Sequence, residues 1–479
     1  MLWPLFFIPL FTLFIITFIC FQKQKFTLFI SNNLNTSYIV LLKLITLISF
    51  NINLCYGLYI WKKFPYTIYF EDCVEKFYPS FTWFEAQHSI NLPFLLLSIF
   101  VLSLSLLVSW YSSLNVILLT YLFLIIEFCL VGAFLCTNLF LFLLFFEASA
   151  FPIFILIVYC GSFRKERLKA SYYFLFFTLY GSLSLLLLSL NTFALNQLEF
   201  LNNIFLYQES SYTAWILLFI AFAVKVPLFP FHVWLPHAHV EASTATSIIL
   251  AALMLKLGGY GILKFMLPLF LIKIHFFFKP FAVFICLLGV VYGGIITLRQ
   301  LDLKRQIAFS SISHMSFSIL GIFTFTEIGI KGSIYLMLSH GFVSASLFYL
   351  IGVLSDRHHT RSVLAYGGLL GIMPLFSGFF ILNSLANIGF PGTSGFLPEL
   401  FIFISFATSN LNFLFLAIFG MILITAGSLV MLLRLLFGHL KNFYFASNWV
   451  DLSKLEFAIL CILGFWVLFT GMQDVFFNT

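Results

Sequence analysis

Apolar runs of about 20 residues recur along this chain, the length needed to cross a hydrocarbon core of about 30 Å. No water reaches backbone groups inside a bilayer, so only helices and closed barrels can cross it. A barrel strand alternates apolar and polar residues, and stretches such as Phe174–Leu190 do not. The chain has 479 residues, 62% hydrophobic and 9% charged, and no soluble domain of this size needs so little polar surface. The expected fold is therefore an all-α polytopic membrane protein.

The pattern predicts about 14 transmembrane helices, near 3–20, 37–60, 92–110, 113–134, 136–159, 171–194, 213–235 and 243–266 in the first part. The others lie near 280–298, 306–325, 330–353, 370–407 (long and interrupted), 411–437 and 455–475. The first run, Leu5–Cys20, has no basic start and no clear small-residue cleavage site, so it reads as a retained helix. One sizeable polar connection, Lys62–Ser89, mixes acids, bases and aromatics and resembles an ordered surface loop. Loops after odd-numbered spans carry 14 of the 24 Lys and Arg residues, among them Arg164, Lys165, Arg299, Arg305, Arg357, Arg361 and Lys441. Loops after even-numbered spans carry seven, and Lys43, Lys225 and Lys256 lie within spans. That bias puts the odd loops on the cytoplasm-equivalent side and both termini on the other.

The eight cysteines are scattered, mostly within apolar runs and without a Cys-x-x-Cys pair, which favours buried hydrophobes over metal or Fe–S ligands. No glycine-rich phosphate loop or dinucleotide fingerprint is present, so any redox cofactors are expected in other subunits. The net charge of +7 is dispersed over membrane-flanking loops, where its role is topology, not nucleic-acid binding. Phenylalanine codons are T-rich, and the 68 phenylalanines point to an A/T-rich genome such as an organellar one.

Against this background Glu147, Lys225, Lys256 and Glu399 stand inside apolar runs. A charge at the bilayer centre costs about 2.5–3.5 kcal/mol even on lenient scales, so such residues mark ion paths. Two spans are also broken beside a charge. Pro227 and Pro230 follow Lys225 directly, and Gly389-Phe-Pro-Gly-Thr-Ser-Gly, with Pro391, precedes Glu399. Proline removes a backbone donor and frees carbonyls, and irregular backbone at membrane depth is tolerated only inside protein or around a wet cavity. Paired interruptions in two halves of a chain are the mark of inverted-repeat transporters.

Other polar groups extend the line. Glu147 has no local base, and Lys225 is its natural partner. Lys256 has no acid nearby in sequence, and a desolvated lysine can carry a proton. His314 and His340 lie in consecutive spans among serines, suited either to packing or to a relay with water. His232, His237, His239 and Glu241 cluster after the first break. Proline spoils regular ligand spacing there, so a polar entrance to the path is favoured over a metal site. Glu127 lies within a span with no visible partner, and Lys43 and Arg434 are close enough to span ends to snorkel.

The run from Ala223 to Ala242, with Lys225-Val-Pro-Leu-Phe-Pro-Phe-His and Pro-His-Ala-His-Val-Glu, resembles the chain 4 family of respiratory NADH–ubiquinone oxidoreductase (complex I), mitochondrial type. Phe146-Glu147-Ala148, Leu298-Arg-Gln-Leu-Asp-Leu-Lys-Arg, Leu338-Ser-His-Gly-Phe-Val-Ser, Asp356-Arg-His-His-Thr-Arg and Phe390-Pro-Gly-Thr-Ser-Gly-Phe-Leu-Pro-Glu-Leu carry the same resemblance from about Thr137 to Leu440. It implies an antiporter-like, proton-pumping subunit with two inverted five-helix repeats and two broken helices. The divisions would be 1–111, 112–266, 267–440 and 441–479.

By position, the resemblance implies that Glu147 pairs with Lys225, that Lys256 is the central relay lysine, and that His314 and His340 lead to the acid Glu399. His232 and His239 would stand at proton uptake. Two departures bear on how helices restart: Ser243 replaces a usual proline, and Pro398 replaces a usual small residue. NADH, FMN, Fe–S clusters and ubiquinone would be bound by other subunits. The partners would be membrane-arm subunits, including neighbouring antiporter-like ones, in the mitochondrial inner membrane, with no nucleic acid. Two other readings differ in partners and role: a subunit of a multisubunit Na⁺/H⁺ antiporter, and a membrane scaffold whose buried charges direct assembly.

Overall fold

In hydrocarbon a chain must satisfy its backbone internally, and the described part of this one does so almost entirely by helices. The structure, a computed structural model, describes residues 3–26, 33–63, 88–111, 116–162, 165–194, 208–270, 272–409, 411–439 and 449–472. The connection between Lys62 and Ser89 falls largely outside these, as do Arg164, Lys441 and Cys73. The helices are α1 (Trp3–Phe26), α2 (Asn33–Lys63), α3 (His88–Val108), α4 (Val116–Leu135), α5 (Leu139–Cys160), α6 (Glu166–Ala194), α7 (Gln208–Lys225) and α8 (Trp234–Glu241). There follow α9 (Thr244–Leu269), α10 (Ile272–Arg299), α11 (Leu303–Ile322), α12 (Glu327–His358), α13 (Pro374–Ile388), α14 (Phe396–Ser409), α15 (Leu411–Leu436) and α16 (Lys454–Met472). No strand occurs among the described residues, only an isolated bridge between Asp302 and Ser362.

Among the described residues, ten helices are long and apolar enough to cross a membrane. The four expected spans outside that set are informative. Two are the broken ones, whose pieces Tyr212–Lys225, Pro374–Ile388 and Phe396–Ser409 are each short and apolar. Another is the first, apolar over Trp3–Ile19, and the last is the serine-rich α11.

Helix α12 occupies the centre, packed on α9, α11, α13, α14 and α16, and α9 is buried almost all round beside it. A helix apolar on every side belongs in such a position. Between membrane helices close approach comes from small residues. A Cβ on Gly352 would meet the Thr244 side chain of α9 at 2.4 Å, and one on Gly332 would meet Phe401 of α14 at 2.9 Å. These contacts bring the helices bearing Lys256, His340 and Glu399 together.

Lys43 does not snorkel. It is buried, and its Nζ donates to Ser109 O at 3.1 Å and Trp110 O at 2.6 Å, just past the C-terminus of α3. The last carbonyls of a helix lack partners and carry partial negative charge, so a lysine that finds them has no need to reach water. Lys264 does the same at the end of α4, donating to Cys136 O at 2.6 Å.

Candidate functional site

The first break follows from two prolines. Helix α7 ends at Lys225, and residues 226–233 are non-helical before α8 begins. The exposed carbonyls are then taken up one by one: Leu228 N donates to Ala223 O at 2.8 Å, and the Trp234 indole Nε1 donates to Val224 O at 2.9 Å. Leaving a buried acceptor unpaired costs about 1–3 kcal/mol, so Trp234→Phe should destabilise the break by that order, read as a lower unfolding temperature of the protein.

Lys225 itself is buried. Its Nζ lies 4.3 Å from the centre of the Phe146 ring and 3.4 Å from Phe146 O on α5. That carbonyl also accepts the Ser149 hydroxyl at 2.8 Å, where α5 is interrupted at Ser149. Half-buried Glu147 and Lys225 line one cavity of about 10 Å³ together with Thr178 and Ser182 of α6. No ion pair of 4.0 Å or less joins the two among the described residues. The cavity has room for about one water.

Lys256 sits on α9 between two π-turns, Leu250–Met254 and Ile262–Met266. Such bulges re-aim side chains and concentrate at functional sites. Lys256 is fully buried, and its Nζ donates to Ala251 O at 2.6 Å and meets His340 Nδ1 at 3.0 Å. An ammonium donates to an imidazole nitrogen, and a neutral amine accepts from an imidazole N–H, so the contact survives with the proton on either side. Two residues on, Gly258 lets α9 close on the first break, since a Cβ there would stand 2.6 Å from the Val226 side chain and 3.0 Å from its nitrogen.

From His340 the line continues to α11. The His340 and His314 ring centres are 5.9 Å apart, and His314 Nδ1 lies 3.7 Å from Glu399 Oε1. Glu399 is 8% exposed and stands in the first turn of α14. Pro398 also occupies that turn, where a helix has no intrahelical use for an N–H, so the proline fits the restart without breaking it. Ser243 likewise takes up its place as the N-cap of α9, accepting from Thr246 N at 3.5 Å. Helix α13 ends on Gly389 with φ +79°, and its N-terminus is held by Asp451, whose carboxylate accepts from Leu375 N at 2.9 Å and Phe376 N at 3.1 Å. Pro391 lies in the turn between α13 and α14.

The uptake candidates fall on the first broken helix. His232 is buried against Phe229 and Tyr292, at ring distances of 5.8 and 5.0 Å. His239 is fully buried, stacked on Phe348 at 4.5 Å, and neither ring nitrogen has a hydrogen-bond partner among the described residues. Its neighbour His237 faces a polar cleft of about 360 Å³ lined also by Glu166, Lys169, Glu241, Asp302 and Arg305. Beside it Glu241 receives the Ser162 hydroxyl and pairs with Arg361 at 3.4 Å, while Lys304 Nζ donates to Ala242 O at 3.0 Å. The cluster is thus split: one histidine faces the cleft and two are buried. No group of three or more potential metal ligands converges among the described residues.

The structure brings Lys256, His340, His314 and Glu399 into one line, and sets Glu147 and Lys225 around a separate cavity. Sequence reasoning missed Asn387, a mostly buried residue in the last turn of α13 whose polar groups lie close to His314. Its only sequence signal is a polar residue two positions before the glycine of the break.

Residues 136–425 match the family described as NADH:quinone oxidoreductase/Mrp antiporter, TM. NADH-ubiquinone oxidoreductase chain 4 of Chondrus crispus is 43% identical over 388 residues, 80% of this chain and 78% of the relative. A chain in the structure of respiratory complex I from Thermus thermophilus with bound NADH superposes with a TM-score of 0.79 at 26% identity, covering 91% of this chain and 92% of that one. A chain of the Mrp complex from Dietzia sp. shares the fold, with a TM-score of 0.70 at 21% identity over 81% of this chain and 43% of that one.

Proposed function

The chain belongs to the NADH–ubiquinone oxidoreductase chain 4 family, and from that membership and the buried polar line we propose that it is a proton-translocating subunit of the membrane arm of respiratory complex I. It is a multi-pass membrane subunit of an NADH:quinone oxidoreductase, working beside other membrane-arm subunits. We place it in the mitochondrial inner membrane, with NADH, FMN, Fe–S clusters and ubiquinone bound by partner subunits. Residues 112–266 and 267–440 form the two inverted repeats of this reading, flanked by 1–111 and 441–479.

The observation that carries the mechanism is the sequence of contacts Lys256–His340–His314–Glu399, with a 3.0 Å first step and a 3.7 Å last one. Protons enter at the cleft around His237, pass the buried His239 and His232 region, and load Lys256. From there they move through His340 and His314 to Glu399, the middle step bridged by water because the rings are 5.9 Å apart. Glu147 and Lys225 form the gate. With Lys225 drawn to Glu147 its field on Lys256 weakens; with Lys225 released toward Lys256 the second lysine expels its proton. Two cations about 6 Å apart at an effective dielectric near 20 repel by roughly 3 kcal/mol, enough to switch a lysine. The close packing at Gly258 makes that coupling short, because it seats α9 directly on the residue after Lys225.

The Mrp fold likeness favours one alternative, a Na⁺/H⁺ antiporter subunit. Proteoliposomes holding the whole complex separate the two readings. Pumping driven by NADH oxidation without sodium, and its collapse in Glu399→Gln, are the expected results. Sodium-dependent exchange without electron transfer would overturn the complex I reading. Full NADH-driven pumping by Glu399→Gln would overturn the exit assignment alone.

A further inference from the structure

Glu127 is a fully buried acid that the relay does not use. It stands in the middle of α4, which packs on α1, α2, α3 and α5. Asn53 of α2, also fully buried, donates its Nδ2 to Glu127 Oε1 at 2.8 Å. No Lys, Arg or His lies within ion-pair distance of Glu127 among the described residues. The other two polar atoms of the pair, Glu127 Oε2 and Asn53 Oδ1, are buried and have no hydrogen-bond partner among the described residues. An ionised carboxylate is acceptor-only, so it leaves the second half of this contact as two acceptors without a donor. One proton on Oε2 supplies the missing donor. The terminal torsions of glutamate and asparagine are soft, so Oε2–H can turn to Oδ1 while Nδ2 keeps Oε1, and both orphaned atoms are then satisfied.

We propose that Glu127 is held as the neutral carboxylic acid and forms with Asn53 a two-hydrogen-bond clamp that fixes α2, and with it the N-terminal helices, to α4. The proton is part of the structure and does not move in turnover. The inference is independent of the relay, since among the described residues no hydrogen bond or ion pair joins Glu127 to Lys256, His340, His314 or Glu399. It gives the N-terminal helices a defined attachment at the depth where a membrane protein has fewest polar contacts to use. Glutamine offers the same pairing in neutral form, one N–H donor and one carbonyl acceptor, whereas alanine strands the Asn53 amide.

The test uses the whole complex in its membrane. Glu127→Gln is expected to assemble to wild-type level and to pump with an unchanged proton-to-electron ratio. Glu127→Ala is expected to lower the amount of assembled complex by about tenfold, the order set by a buried amide left without its partner. Infrared spectra of the wild-type complex should contain a protonated-carboxyl C=O band that Glu127→Gln lacks and that does not change between resting and turning-over enzyme. Loss of pumping in an assembled Glu127→Gln complex would overturn the proposal and make Glu127 a proton carrier. Failure of Glu127→Gln to assemble, wild-type assembly of Glu127→Ala, or absence of the carboxyl band would each overturn the neutral clamp.

Discussion

Lys256→Ala should leave the complex assembled and able to pass electrons from NADH to quinone at low rate, while proton transfer through this subunit falls by about 10²–10⁴-fold, the usual worth of a positioned proton-transfer group. Its Nζ holds the Ala251 carbonyl and His340 Nδ1 together, so removing it interrupts the line at its first step. Lys256→Arg sharpens the test. A guanidinium keeps the positive charge and the donors but does not release a proton at any working pH. If Lys256 serves only as a fixed charge for assembly, arginine restores pumping. If it is a carrier, arginine restores assembly and leaves pumping lost. The measurement is the proton-to-electron ratio in proteoliposomes, and a full ratio in Lys256→Ala would remove the lysine from the path.

Gly389→Ala should have the second largest effect, by a different route. Gly389 ends α13 at φ +79°, where an L side chain costs about 1–2 kcal/mol. The added Cβ would also stand 2.4 Å from Glu399 Oε2. The carboxylate is the free end of a flexible side chain, so it will move before the backbone does, and its contact with His314 will be lost. Gly389→Asn separates the two causes, because asparagine tolerates the left-handed backbone yet carries the same Cβ. Both variants should lose most proton translocation, and only Gly389→Ala should also lower thermal stability clearly. Wild-type pumping in Gly389→Asn would show that the 3.7 Å approach of Glu399 to His314 is not needed.

Much of this site was legible because charge is so costly in hydrocarbon. Glu147, Lys225, Lys256 and Glu399 stand out in apolar runs, and proline and glycine mark both breaks without reference to any partner. The positions of the breaks agree with the structure: α7 stops at Lys225, and α14 starts just before Glu399. The side-chain partners were not legible. Lys43 reads in sequence as near enough to a span end to snorkel and Glu127 as a charge in a span without a visible partner, yet one caps the end of α3 and the other meets Asn53. Asn387 drew no notice because a single asparagine near a helix end is ordinary. The Glu147–Lys225 pairing expected from charge is present as a shared cavity without direct contact.

Hydrophobic length, proline and isolated charge are local properties, and they alone determined that this chain is a helical membrane protein with two interrupted helices and charges inside its spans. Which group touches which depends on helix packing between residues far apart in the chain. Lys256 and His340 are separated by 84 positions and meet at 3.0 Å because α9 and α12 approach on small residues. Only the tertiary structure could decide that, since the contact is set by where glycines let two backbones close, and the sequence around either residue contains no mark of the other.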